Sequence, residues 1–131
     1  MDTATIERSL EVAAERGGDL TPAVYARLFA HHPEMEVQFV RDTTGAVRGE
    51  MLQRVFDMVF DYIGEGAYAR GMIRNEVVTH DGYGVPPDVF PLFFDAVAET
   101  LREAAGEDWT AEMTHAWEQL LADFHRFAVH G

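Results

Sequence analysis

The chain has 131 residues and a mass of 14.7 kDa, so we expect one domain spanning residues 1–131. It has no cysteine, which excludes disulfides, zinc fingers and thiol nucleophiles, and its ten basic residues are all arginines, which excludes Schiff-base chemistry on lysine. The net charge of −13 opposes binding to nucleic acids and to anionic membranes, so we expect neither as a partner. The N-terminal residues are polar and acidic, unlike a secretory signal, and a cytoplasmic location is the expectation.

Apolar residues recur at helical spacing along nearly the whole chain, which predicts an all-α domain with roughly six to eight helices. A first helix should end at Gly17, and Thr21 should cap a second helix whose first turn contains a proline. A short helical turn begins at Pro33 and ends near Phe39, and the polar residues 40–45 predict a loop.

The rest of the chain contains three longer apolar stripes. The first predicts a helix that ends at Gly64, the second a helix that Gly106 closes, and Thr110 should cap the helix that carries the third. Between the first two stripes, residues 68–80 show a weaker helical pattern, and residues 82–87, with two glycines and two prolines, predict a turn. The three stripes consist of Leu52, Val55, Phe56, Val59 and Ile63; Phe90, Phe93, Phe94, Val97 and Leu101; and Met113, Ala116, Trp117, Leu120, Leu121, Phe124 and Phe127.

Three segments, in the same order along the chain, resemble the globin family, in particular single-domain bacterial globins and the globin domain of flavohaemoglobins. The run VYARLF at residues 24–29, with Phe39 after it, resembles the helix of the distal tyrosine and the phenylalanine that wedges the haem. The run HDGYGV at residues 80–85 resembles the proximal histidine and the turn that follows it, and DWTAE at residues 108–112 resembles the start of the last globin helix. The resemblance runs from Ile6 to Phe127 and implies a globin fold around a pocket for haem b.

The proximal ligand is assigned to His80. Haem iron needs a strong axial ligand, and in a chain without cysteine the choices are histidine, methionine and tyrosine. Of the six histidines, His80 stands at a predicted helix end directly before a glycine-rich turn, where a flat ligand can approach the backbone closely. The resemblance therefore makes His80 the metal ligand and a cofactor-binding residue.

On the distal side the resemblance assigns Tyr25, whose hydroxyl would donate a hydrogen bond to the bound gas. The alternative is an ordinary buried tyrosine with a backbone partner. Leu52 matches the apolar residue above the iron, and in that register Arg48 is the distal polar residue, where the family more often has glutamine or histidine. A shift by one residue would place Gly49 there instead and leave Arg48 to a haem propionate or to solvent.

Phe39, Val85 and Phe90 are expected to line the haem and exclude water, although aromatic residues at helical spacing are usually ordinary core. Two features depart from the family pattern. Relatives commonly carry tyrosines in the last two helices where this chain has Phe90 and a leucine at position 121, so the hydrogen-bond network around the proximal histidine looks depleted. Glu76 also lies one turn before His80, where an apolar side chain would normally rest under the haem.

The resemblance implies a haem protein that binds O₂, NO or CO at an iron with one open position. Because 131 residues leave no room for a flavin or nicotinamide domain, oxidation of NO to nitrate would need electrons from a separate reductase, and enzymatic activity stays open. The alternative is a globin-like sensor or interaction module that uses haem for signalling or lacks it, with the aromatic last two helices as a candidate homodimer face. A carboxylate metal site on Glu112 and His115 is a third reading, which would need a second such pair on a facing helix.

Overall fold

The computed structural model describes residues 3–82 and 90–130, and these residues form six α-helices and two 3-10 segments without any strand. The prediction of an all-α domain is confirmed. In chain order the elements are α1 (Thr3–Gly17), α2 (Thr21–His31), a 3-10 segment (Pro33–Phe39), α3 (Ala46–Ile63), α4 (Ala69–Gly82), α5 (Leu92–Ala105), a 3-10 turn (Gly106–Asp108) and α6 (Ala111–His130).

Helix ends follow local chemistry, with one departure from the sequence-based expectation. Gly106 ends α5 with φ of 57°, a left-handed conformation that favours glycine, and the Oγ1 atom of Thr110 accepts the Met113 N–H at 3.1 Å, as the prediction of a cap requires. At the start of α2 the prediction is wrong. Leu20 is the N-cap residue, and the Thr21 N–H donates to Oδ1 of Asp19 at 3.0 Å, so Asp19 supplies the acceptor that was expected from Thr21.

The helices enclose one apolar core among the described residues, because each presents a stripe of buried side chains to its neighbours. Helix α5 packs against α1 and α2, α6 packs against α1 and α4, and α3 lies between α2 and α4. The fully buried rings of Phe94 and Phe124 meet nearly edge to face at the centre, with centroids 5.2 Å apart.

A polar link ties the two ends of the chain together inside this core. The indole N–H of Trp117 donates to the Ser9 hydroxyl at 2.8 Å, and that hydroxyl donates to the carbonyl oxygen of Ile6 at 2.6 Å. Both side chains are buried, so each polar group has a partner that water would otherwise supply. The link holds α6 against α1 and leaves α2, α3 and α4 to surround a cavity.

The length and apolar character of the helices decide whether any of them could cross a membrane. Within residues 3–82 and 90–130, no helix combines the length and the apolar character that crossing a lipid bilayer requires.

Candidate functional site

A cavity of about 460 Å³ lies between α2, the first 3-10 segment, α3, α4 and the start of α5. This volume falls within the ~300–1,000 Å³ typical of small-molecule sites. Its walls are mostly apolar, with a few polar side chains. The lining residues are Tyr25, Leu28, Met35, Gln38, Phe39, Val47, Glu50, Met51, Arg54, Glu76, Thr79, His80, Phe90 and Phe93.

His80 reaches the cavity from the last turns of α4. Its Nδ1 atom lies 2.7 Å from the backbone carbonyl oxygen of Glu76, one helical turn earlier. A carbonyl oxygen can only accept a hydrogen bond, so Nδ1 carries the proton, and in the neutral ring Nε2 keeps a free lone pair. The imidazole also packs against the ring of Phe90 at a centroid distance of 4.9 Å, which restricts its rotation. This is the orientation in which histidine serves as a metal ligand.

Tyr25 contributes the main polar group that α2 brings to the cavity. The side chain is 2% exposed, and its hydroxyl donates to the backbone carbonyl oxygen of Arg48 at 3.1 Å. Its ring is surrounded by Phe29, Phe39 and Phe93, with centroid distances of 5.8, 5.2 and 5.4 Å. Burial raises the pKa of Tyr25 above its usual range, with a smaller opposing effect of the Arg48 charge, so the phenol remains a protonated donor.

The structure brings four of the predicted site residues to one cavity and separates others from it. Tyr25, Phe39, His80 and Phe90 all line the cavity. Val85 lies outside the described residues. Leu52 and Arg48 are not among the residues that line this cavity, and both belong to α3, whose rotation decides which side chains face inward.

Leu52 and Arg48 have other surroundings. Leu52 is buried beside a second cavity of about 290 Å³, which is lined by residues of α1, α2, α3 and α5 and of the segment between α1 and α2. The guanidinium of Arg48 is bound by Asp42, with Nε 3.1 Å from Oδ2 and Nη2 2.9 Å from the Asp42 carbonyl oxygen. Gly49, the residue considered in the alternative register, also lines the second cavity.

Asp42 caps the start of α3. Its carboxylate is 6% exposed and accepts the backbone N–H groups of Val47 and Arg48 at 3.1 and 3.0 Å, so it caps the first turn of the helix. Burial raises the pKa of Asp42, but these hydrogen bonds and the Arg48 charge outweigh that effect, and the net pKa is lowered.

The α3 residues at the cavity are at positions i, i+3, i+4 and i+7 of one helix face, namely Val47, Glu50, Met51 and Arg54. The sequence pattern did not single out these four as lining residues. Their helical spacing could have indicated a shared helix face. The buried Leu52 and Val55 have equally helical spacing, so the sequence does not tell which face lines the cavity.

The third reading, a carboxylate metal site, finds no support in the described part of the chain. Glu112 and His115 are exposed on α6, and residues 3–82 and 90–130 contain no group of three or more His, Asp or Glu side chains arranged to hold a metal ion. A site with a single imidazole ligand on a haem iron is a different kind of site and needs no such group.

Comparisons with known proteins identify the family. The family model described as Globin matches residues 22–126. The chain is 25% identical over 117 residues to a flavohemoprotein of Rhizobium meliloti, covering 87% of this chain and 28% of that protein. It is 23% identical over 137 aligned positions to a flavohemoprotein of Halalkalibacterium halodurans, covering 94% of this chain and 33% of that protein.

A plant protein is also similar. Leghemoglobin 49 of Vicia faba is 30% identical over 88 residues, which are 61% of this chain and 60% of that protein. The chain spans a third or less of the length of the flavohemoproteins that it matches. No solved structure shows a significant match. Because the family model covers most of the helical chain, the sequence and the all-α architecture agree, and the protein belongs to the globin family.

Proposed function

We propose that this globin binds haem b in the cavity between α2, α3 and α4, with His80 as the axial ligand, and that it binds a diatomic gas on the side of Tyr25. The observation that carries the proposal is the hydrogen bond of 2.7 Å between His80 Nδ1 and the Glu76 carbonyl oxygen. It selects the tautomer in which Nε2 is available to a metal, and it fixes the plane of the ring.

The residues around the cavity fit this cofactor. Apolar and aromatic walls suit a porphyrin, and the volume of about 460 Å³ is within the usual range for a ligand site. These 131 residues contain no cysteine, so none of them would form a thioether bond to the haem. When bound, the haem iron supplies the one coordination position that takes the gas.

Tyr25 then acts as the polar group on the gas side. Its hydroxyl is buried and protonated, and in the structure it donates to the Arg48 carbonyl oxygen. A bound gas that carries partial negative charge could replace the Arg48 carbonyl oxygen as the acceptor. The phenolic O–H would only have to rotate toward the gas, and the hydroxyl would stay shielded from water. Arg48 contributes through its backbone carbonyl, because its guanidinium is engaged by Asp42.

Within this general function, two finer roles follow from the relatives. Oxygen binding or delivery needs reversible association of the gas alone. Oxidation of NO by O₂ consumes one electron for each nitrate formed, and the named flavohemoproteins are about three times the length of this chain. We therefore propose that any NO dioxygenase activity of this globin takes its electrons from a reductase.

The test is a titration of the purified protein with hemin, followed by reduction and addition of CO. The proposal predicts saturation at one haem per chain, a Soret band, and a shift of that band when CO binds. A protein that gains no Soret band would refute haem binding and would favour a globin-shaped sensor or interaction module without haem.

A further inference from the structure

Glu76 is the residue of the cavity whose chemistry the globin pattern does not explain. It lies one helical turn before His80, its side chain is only 16% exposed, and it lines the cavity together with the histidine. A largely buried carboxylate in an apolar wall is costly unless another group compensates its charge.

The compensating charge comes from a different helix. Nη1 of Arg54, on α3, lies 3.1 Å from Oε1 of Glu76 on α4. The Arg54 side chain is 55% exposed, so solvent screens the pair and it adds little to the stability of the fold. Its main effect is geometric, because it holds one carboxylate oxygen at the α3 side of the cavity wall.

The other carboxylate oxygen faces the histidine. Oε2 of Glu76 lies 3.6 Å from Nδ1 of His80, beyond hydrogen-bond distance but in direct charge contact. The same Nδ1 already donates to the Glu76 backbone carbonyl at 2.7 Å. One residue therefore places both a carbonyl dipole and a full negative charge at the N–H of the imidazole. The side chain of His80 is 17% exposed, so this charge acts through a partly desolvated environment.

We propose that Glu76 is a positioning residue that strengthens electron donation from His80 to the haem iron, and that Arg54 orients its carboxylate for this task. The inference rests on the proposed function, since it requires His80 as the axial ligand. A negative charge near Nδ1 stabilises positive charge on the N–H side of the ring, which makes Nε2 the better donor to a metal cation. The oxidised iron gains more from this donation than the reduced iron.

The carboxylate of Glu76 reaches the imidazole from within the same helix, at i and i+4, where side chains share a face.

The test measures the iron–histidine stretching frequency of the ferrous haem protein by resonance Raman spectroscopy, and the midpoint potential of the haem. Glu76→Gln removes the charge while the backbone carbonyl stays in place. We expect a lower stretching frequency and a ferric-to-ferrous equilibrium shifted about tenfold toward the reduced form, or ~59 mV for one electron. Asp81→Asn is the matched control. It removes one exposed charge next to His80 on the same helix, and the stretching frequency should stay at the wild-type value.

Arg54→Gln tests the second half of the proposal and serves if the Glu76 variant folds poorly. With its partner gone, the carboxylate should turn to solvent, and the stretching frequency should fall toward that of Glu76→Gln. The double variant should match Glu76→Gln alone, because Arg54 acts through Glu76. Frequencies that stay at the wild-type value in both single variants would overturn the proposal, and additive shifts would overturn the role of Arg54.

Failure of the underlying function has a different signature. If wild-type protein shows no iron–histidine band, or if His80→Ala keeps it, then His80 is not the ligand, and the inference about Glu76 falls with it. A wild-type band that His80→Ala abolishes and Glu76→Gln leaves unmoved would contradict the Glu76 proposal alone.

Discussion

The phenolic hydroxyl of Tyr25 gives the sharpest prediction for gas binding. Tyr25→Phe removes one oxygen atom from a side chain that is 2% exposed and leaves the ring among Phe29, Phe39 and Phe93. The hydroxyl makes one described hydrogen bond, to the Arg48 carbonyl oxygen at 3.1 Å. Losing it should cost ~0.5–1.5 kcal/mol of folding stability, which chemical denaturation can measure.

The effect on the bound gas should appear in the oxygen dissociation rate. If the hydroxyl donates to bound oxygen, its loss should speed oxygen dissociation about tenfold, which corresponds to ~1.4 kcal/mol. Stopped-flow displacement of oxygen by CO measures this rate directly. Because burial raises the pKa of Tyr25 above its usual value of about 10, the wild-type rate should not change between about pH 6 and about pH 9.

Tyr62→Phe is the matched control. It makes the same chemical change at a tyrosine whose hydroxyl donates to Asp123, away from the residues that line the cavity. Its oxygen dissociation rate should equal that of the wild type. A Tyr25→Phe variant with the wild-type rate would refute the reasoning, since it would show that the hydroxyl stays on the Arg48 carbonyl when the gas is bound.

Three further predictions concern the surroundings of the cavity and the core. Arg48→Ala should change the oxygen dissociation rate less than about twofold, or ~0.4 kcal/mol, because Asp42 binds the guanidinium of Arg48. A rise as large as that of Tyr25→Phe would show that the Arg48 side chain contacts the bound gas. Asp42→Asn should lower the melting temperature at neutral pH. The lowered pKa means that the wild type keeps this stabilisation above about pH 4 and loses it as the pH falls through the folded-state pKa, so melting curves of the two proteins should converge in acid. Ser9→Ala should destabilise the fold by ~1–3 kcal/mol, measured by urea denaturation, because it leaves the buried indole N–H of Trp117 without an acceptor; an equal stability would show that another group takes its place.

The helices themselves were predictable from the sequence, since their signals are local. The stripe of α5 ends at Gly106 because glycine tolerates the left-handed conformation there, and Thr110 caps α6 through its own hydroxyl. The cap of α2 was assigned to the wrong residue because Asp19 and Thr21 are both good cap residues, and the sequence alone does not rank them.

A site residue was predictable from the sequence only where its type and its surrounding motif identify it. His80 and Tyr25 stand out by their type and motif, and both line the cavity. The face that α3 presents to the cavity was not predictable, because its lining residues and the buried Leu52 and Val55 all recur at helical spacing. The position of Glu76 became explicable only with Arg54, a partner 22 residues away on another helix.

The most direct test of the account is the absorption spectrum of the hemin-reconstituted protein in its ferrous and CO-bound forms, with and without His80→Ala. The account predicts that the variant loses haem or shows an altered Soret band in both forms, while circular dichroism shows the wild-type helical content. Ferrous and CO spectra identical to those of the wild type would show that another group binds the iron and would contradict the assignment of His80.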